Sequence, residues 1–209
     1  VLERCLESIA DLMDEIIIVD TGSTDHTKEI AARYTSKIYD YKWTNDFSAA
    51  RNFSFSKATM EYIYTADADE ILDEENHARF LRLKNFLLPE IEIVQMKYVT
   101  VSEFDTVLNA QKEYRPKLFK RLRTFTWIDP IHETVRLQPV IFDSDVEILH
   151  KPQSLHSKRD FSIFIKAFEH DGQFSPKIRT MYAKELLKTG DTKDFAAAKP
   201  IFRAIFDND

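Results

Sequence analysis

The chain has one cysteine, Cys5, in 209 residues, and only three glycines, Gly22, Gly172 and Gly190. A single thiol closes no internal disulfide and offers no set of thiolates for a metal, the usage expected of a reducing, cytoplasmic compartment. Glycines this sparse leave no place to write G-x-G-x-x-G or a Walker loop, so a phosphate-bearing ligand must be held by other means. No apolar run approaches the roughly 18–20 residues that cross a bilayer, and the first residues read as an amphipathic segment of mixed charge rather than a signal peptide. Positive charge is not in excess either. The formal net charge of -6 offers no broad attraction to nucleic acid or anionic lipid.

What the chain does have is apolar surface, 44% of residues, enough for one sizeable core and an appendage. Leu2, Cys5, Leu6, Ile9, Leu12 and Met13 recur at helical spacing, so the chain is expected to open on a helix. "IIIVD", 16–20, is a short β-branched run of the kind covered on both faces in a parallel sheet. "TGSTDHTKEIAARY" then supplies a turn, a cap at Thr24 or Asp25, and a helix to about Tyr34. Residues 37–41 read as a strand, 47–58 as a helix and 62–66 as a strand, which is the rhythm of βαβ units. A helix over about 75–88 is closed by Pro89, and 91–99 alternates like a partly exposed strand. Short β-leaning segments at 114–121, 125–128, 131–136, 140–142 and 146–150 predict antiparallel or mixed pairing. From about 158 the pattern is helical, with Ser175 as a cap and Pro200 as a kink or break. Its small and aromatic residues are spaced as in a helix-turn-helix repeat of roughly 34 residues.

The stretch "YTADADEI", 64–71, raises the functional question, because an apolar strand ends abruptly in Asp67, Asp69 and Glu70. Unneutralised, these carboxylates would repel one another by several kcal/mol at an effective dielectric of about 20. Two aspartates one residue apart at a strand exit can face one divalent cation such as Mg²⁺ or Mn²⁺, which bridges readily to phosphate oxygens. The bland alternative is that they are loop and cap acids of the next helix. Right-handed crossovers put strand carboxyl ends on one edge, so Asp20 and the 67–70 cluster are expected to face one crevice, where open α/β sheets bind ligands.

"CLESIADLMDEIIIVDTGSTDHTKEIA", "WTNDFSAARNFSFSKA" and "YTADADEI" resemble the nucleotide-sugar domain of family 2 glycosyltransferases of the GT-A fold. "RPKLFKR…IHETV…VEILH" is similar to the later half of the same group. The helical tail resembles the tetratricopeptide segment that often follows this domain in bacterial members. The resemblance implies an α/β fold, a GT-A-like (Rossmann-like) mixed sheet flanked by helices, with a C-terminal TPR-like helical extension. Residues 1–155 would form the nucleotide-sugar domain and 156–209 the extension. Family members begin with a further strand that lies centrally in the sheet. This chain opens on the following helix, so that strand is expected to be missing from it.

The resemblance also implies roles for particular residues. Asp20 and Thr21 would sit against base and ribose, Asp67 would approach ribose or metal, and Asp69 would ligate the metal. Arg51 would lie near the donor, with Arg115, Lys117, Lys120 and Arg121 including contacts to diphosphate. Glu133 would be the general base and His132 its neighbour at the acceptor, since transfer with inversion needs a carboxylate to take the acceptor proton. His150 would complete the metal sphere or contact the diphosphate. The activity implied is Mn²⁺- or Mg²⁺-dependent inverting transfer from a nucleotide-diphosphate sugar, a UDP-sugar, to a glycan, lipid-linked or protein acceptor, with the tail offered to a protein partner. Two rivals stand beside it: a sugar nucleotidyltransferase, which would bring a glycine-rich loop, and a non-catalytic scaffold with a vestigial transferase fold.

Overall fold

The computed structural model describes residues 1–100, 112–121, 127–128, 134–135, 139–150 and 157–208. It divides into two compact units, Val1–Trp43 with Ser48–Gln153, and Thr44–Phe47 with Ser154–Asp209. Among the described residues, no helix is long and apolar enough to cross a membrane.

The first unit opens on helix α1 (Leu2–Ile9), continued by a 3₁₀ turn over Ala10–Leu12. The apolar stripe buries Cys5, Leu6, Ile9 and Leu12, as helical spacing requires. Strand β1 (Ile18–Asp20), helix α2 (Thr27–Ala31) and strand β2 (Ile38–Asp40) follow, and β1 pairs with β2 in parallel, Ile18 opposite Ile38 and Asp20 opposite Asp40. Asp25 Oδ1 accepts the Thr27 N–H at 3.1 Å. The helix stops short of Tyr34 because Arg33 and Tyr34 donate to Ile30 and Ala31, tightening the last turn. The double-sided cover expected of "IIIVD" is not found. Ile18 and Val19 are half-buried, and among the described residues β1 pairs with β2 alone.

Helix α3 (Phe47–Lys57) leads to strand β3 (Tyr62–Tyr64), a two-residue strand β4 (Glu70–Ile71) and helix α4 (Glu74–Phe86). Asp73 caps α4 by accepting the Asn76 N–H at 2.9 Å. Strands β5 (Ile93–Thr100), β6 (Lys112–Lys120), β7 (Trp127–Ile128), β8 (Thr134–Val135) and β9 (Ile141–His150) complete the unit. The main sheet has the order β3-β6-β5-β9-β4, with β5 and β9 parallel and the other pairs antiparallel. It is the mixed sheet flanked by helices that the sequence predicted.

Along central β5, Val94, Met96 and Tyr98 alternate into one core with Leu118, Val146, Ile148, Phe80, Leu72 and Ile9. Fully burying each aliphatic side chain contributes about 1.5–3 kcal/mol. The sequence suggested two short strands, 140–142 and 146–150, where the structure has one. The register slips between Gln95 opposite Asp143 and Lys97 opposite Glu147, so the polar residues between are absorbed as an irregularity. Side chains of α4 take up the backbone groups there: Asn76 Oδ1 accepts the Glu147 N–H at 2.7 Å and Arg79 donates to the Asp145 carbonyl at 3.0 Å. Strand β9 therefore runs unbroken to His150.

The second unit holds helices α5 (Ser157–Asp171), α6 (Pro176–Thr189) and α7 (Thr192–Asn208). Ser175 Oγ caps α6 by accepting the Ile178 N–H at 3.3 Å. Helix α7 continues through Pro200 rather than breaking there. Pro200, which has no N–H to give the Ala196 carbonyl, lies with Ala196 on the exposed face of the helix. Tyr182 is fully buried between Phe164 and Phe202, its ring centroid 4.6 and 5.4 Å from theirs.

One side chain ties three connections of the first unit together. Glu15 accepts from Lys37 Nζ at 2.5 Å, Thr59 Oγ1 at 2.8 Å and the Thr59 N–H at 2.8 Å. The Lys37 bond, helped by those from Thr59, lowers its carboxyl to about 2. A carboxyl held below its unfolded value stabilises the fold fully above about pH 4.5 and loses that contribution as pH falls toward 2. Glu15→Gln is expected to cost about 1 kcal/mol at pH 7 and to remove the acid-sensitive part between those limits, as measured by denaturant unfolding across pH.

Candidate active site at the Asp67–Glu70 turn

Beyond β3 the chain makes a β-turn in which the Glu70 N–H donates to the Asp67 carbonyl at 3.0 Å. The turn is closed a second time by the Glu70 carboxylate, whose Oε2 accepts the Asp67 N–H at 3.2 Å. The three acids of "DADE" therefore part company. Asp67 is exposed, Asp69 is half-buried, and Glu70 is 2% exposed.

Glu70 points into the sheet, where Lys117 Nζ meets its Oε1 at 2.5 Å. Lys117 also donates to the Thr65 carbonyl at 3.3 Å, and its own carbonyl accepts the Thr65 N–H at 2.8 Å. Burial pushes the Glu70 carboxyl above its ordinary value, and the Lys117 charge pulls it back. The sequence placed Lys117 among the candidate diphosphate contacts, but the ammonium is internal and already engaged. Its inward aim follows from β6. Register runs from Val94 opposite Leu118 to Gln95 opposite Pro116, so Lys117 is the extra residue of a bulge beside a proline that has no N–H to give the ladder. Cys5 packs against the same turn with Sγ 3.5 Å from the Asp67 carbonyl, and burial together with the nearby carboxylates raises its thiol to about 12. It is an inert core thiol.

Asp67 and Asp69 face outward to different partners. Arg51, on α3, donates to Asp67 Oδ1 at 3.2 Å. Asp69 Oδ2 lies 3.0 Å from His150 Nε2, because β4 pairs with the end of β9 and sets Glu70 opposite His150. With Nε2–H given to Asp69, His150 Nδ1 is a buried nitrogen with no hydrogen-bond partner among the described residues. The His150 ring lies 5.2 Å from that of Tyr98, and the Arg115 guanidinium sits 3.6 Å from the centre of the same Tyr98 ring. Arg115 also pairs with Glu113. The structure thus brings Arg51, Asp67, Asp69, His150 and Arg115 to one neighbourhood.

Other predicted residues are occupied elsewhere. Asp20 is 5% exposed, and its carboxylate accepts the N–H groups of Gly22 at 3.2 Å and Ser23 at 3.2 Å, with Lys28 3.6 Å away. Burial alone would raise this carboxyl, yet those hydrogen bonds and the Lys28 charge bring it below the usual value. Gly22 holds φ at +113°, where a side chain would be strained, so Asp20 organises the shape of the loop carrying exposed Thr21. Arg121 Nε donates to the Met60 carbonyl at 2.7 Å, at the opposite end of β3 from the acidic turn. Lys120 Nζ is held by the Pro89 carbonyl at 2.5 Å. His132 and Glu133 lie outside the described residues.

Among the described residues no group of three His, Cys, Asp or Glu side chains converges as a ready metal cage. Asp69 Oδ2 and His150 Nε2 stand 3.0 Å apart, and with the ring proton carried on Nδ1 instead, they would offer one oxygen and one nitrogen donor side by side. That pair fits a hard divalent cation whose remaining positions are taken by ligand oxygens and water, the usual habit of Mg²⁺ and Mn²⁺.

Similarity to known proteins identifies the family. The family model described as Glycosyl transferase family 2 matches residues 1–150. A TPR repeat-containing protein of Synechococcus elongatus is 48% identical over 71 residues, which are 34% of this chain and 18% of that protein. The SPbeta prophage-derived glycosyltransferase SunS of Bacillus subtilis is 39% identical over 88 residues, 41% of this chain and 21% of SunS. These matches therefore span about a fifth of the relatives' own length. The crystal structure of S. aureus TarS residues 1–349 superposes with a TM-score of 0.41 at 18% identity, covering 57% of this chain and 43% of that one.

Proposed function

The chain belongs to glycosyl transferase family 2, and we propose that it transfers a sugar from a nucleotide-diphosphate donor, a UDP-sugar, with inversion and with the help of a divalent cation. The observation that carries this reading is the meeting of Asp69 with His150 at the edge of the sheet, 3.0 Å apart, with Asp67 and Arg51 beside them. Residues 1–155 form the donor-binding domain in this reading. Residues 156–209 form a TPR-like extension suited to a protein partner. The acceptor is a glycan, a lipid-linked group or a protein.

Each side chain then has defined work. Asp69 and His150 would hold Mn²⁺ or Mg²⁺, which when bound neutralises charge on the departing diphosphate. Asp67 would meet the ribose or the cation from the first position of the turn. Arg51, released from Asp67, carries a planar fork that matches a phosphate. Arg115, laid on Tyr98, offers a second such cation next to His150. The Asp20 loop, with Thr21 at its surface, would shape the seat of base and ribose, and Arg121 would support β3 from its far end. Glu133 would accept the proton of the attacking hydroxyl, with His132 alongside. The scaffold alternative is separated by one assay, because a vestigial fold releases no free sugar from the donor when acceptor is absent.

Asp69→Ala is expected to abolish Mn²⁺-dependent UDP binding in calorimetry of the intact protein, while Mn²⁺-independent background stays as it was. Retention of wild-type affinity would sink the reading. Glu133→Gln is expected to leave UDP binding within twofold and to lower the transfer rate by about 10²–10⁴, the usual contribution of a general base.

A further inference from the structure

The two outward carboxylates owe their position to a buried pair beneath them. Glu70 and Lys117 have side chains 2% and 6% exposed and meet at 2.5 Å. Neither faces the outer surface of the turn. Their hydrogen bonds reach backbone on both sides of it: Lys117 Nζ takes the Thr65 carbonyl where the chain enters, and Glu70 Oε2 takes the Asp67 N–H at the first position of the turn. Glu70 is also the residue that β4 sets opposite His150. Its inward anchorage therefore fixes where the preceding residue, Asp69, stands relative to the imidazole.

We propose that Glu70 and Lys117 are positioning residues for the Asp67–Asp69 pair, and that the carboxylate at 70 is required because one group must accept from two donors at once. Oε1 serves the Lys117 ammonium and Oε2 serves the Asp67 N–H. A carboxylate has an acceptor on each oxygen, whereas a glutamine has one acceptor oxygen and a competing NH₂. An apolar pair would fill the same space, and such replacements of buried ion pairs are often neutral for stability. It would leave the Asp67 N–H unclaimed and the turn free to relax. The inference deepens the nucleotide-diphosphate reading and rests on it for its functional readout.

The order of effects expected of the variants is unusual. Glu70→Gln must choose between Lys117 and the Asp67 N–H, and the charged ammonium takes the oxygen. Removing the competitor in the double variant Glu70→Gln/Lys117→Met returns that oxygen to the Asp67 N–H. The test combines calorimetric UDP binding in Mn²⁺ with NMR-detected hydrogen exchange of the Asp67 amide, on the intact protein. Glu70→Gln is expected to weaken UDP binding at least fivefold and to speed Asp67 exchange at least tenfold, and the double variant to recover most of both. A pair with a merely structural role predicts the reverse order, the double variant being worse than the single. Glu70→Gln binding UDP within twofold of wild type overturns the proposal, as does further loss in the double variant. Should the double variant fail to fold, the near-isosteric Glu70→Gln decides the matter alone. If the wild-type protein binds no UDP, the donor reading falls, and the exchange rates still decide whether Glu70 holds the turn.

Discussion

A lysine and a glutamate, 47 positions apart in sequence and both nearly sealed from water, meet beneath the "DADE" turn that the glutamate ends. Removing two charges from water is expensive, and their attraction offsets that expense only when the geometry is good and the remaining hydrogen-bonding capacity is used. Here it is used: Thr65 gives its carbonyl to Lys117 and Asp67 gives its N–H to Glu70. The inward anion keeps Asp67 and Asp69 outside. The turn that results is closed by one backbone bond and one side-chain bond, a tighter constraint than either alone.

The surrounding fold serves this arrangement from two directions. From one side, the bulge at Pro116 turns Lys117 inward on a strand that otherwise alternates, so a covalent peculiarity of proline is converted into an electrostatic anchor. From the other, β9 is carried past an irregularity by Asn76 and Arg79 of α4 and ends with His150 beside Asp69. Asn76 of α4 and Lys117 of β6 are both buried away from the outer surface of the turn, yet both set its geometry. The core of Val94, Met96, Tyr98, Val146 and Ile148 holds these strands in register, and a one-residue slip would send each inward side chain to the wrong face.

Much of this was legible in the sequence. Sequence patterns located α1, α3, α4, the strands of the first half and the three tail helices to within a few residues, although α3 itself has no fully buried residue. The acidic strand exit raised the question of a cation, and the family resemblance named the terminal histidine of "VEILH" as a candidate partner for it. What escaped was long-range. Three adjacent acids look alike in a string, and only the partner at Lys117 separates Glu70 from the others. Strand β4 is two residues long, too short for any period, yet it brings Asp69 to His150. Asp20 carried a usable signal, since an aspartate two residues before a glycine favours a loop in which its carboxylate binds its own backbone. Arg121 and Lys120 had none, because backbone carbonyls that hold them are invisible as chemical types.

The proposed divalent cation would sit on the outward edge of a turn held by an inward ion pair. Crystals of the intact protein grown with Mn²⁺ and UDP, with diffraction collected at the manganese edge, test that claim most directly. The predicted result is one anomalous peak bonded to an Asp69 carboxylate oxygen and a ring nitrogen of His150, in contact with the diphosphate, while Glu70 remains on Lys117. A nucleotide bound without manganese at that point, or a peak ligated by Glu70 instead, would contradict it.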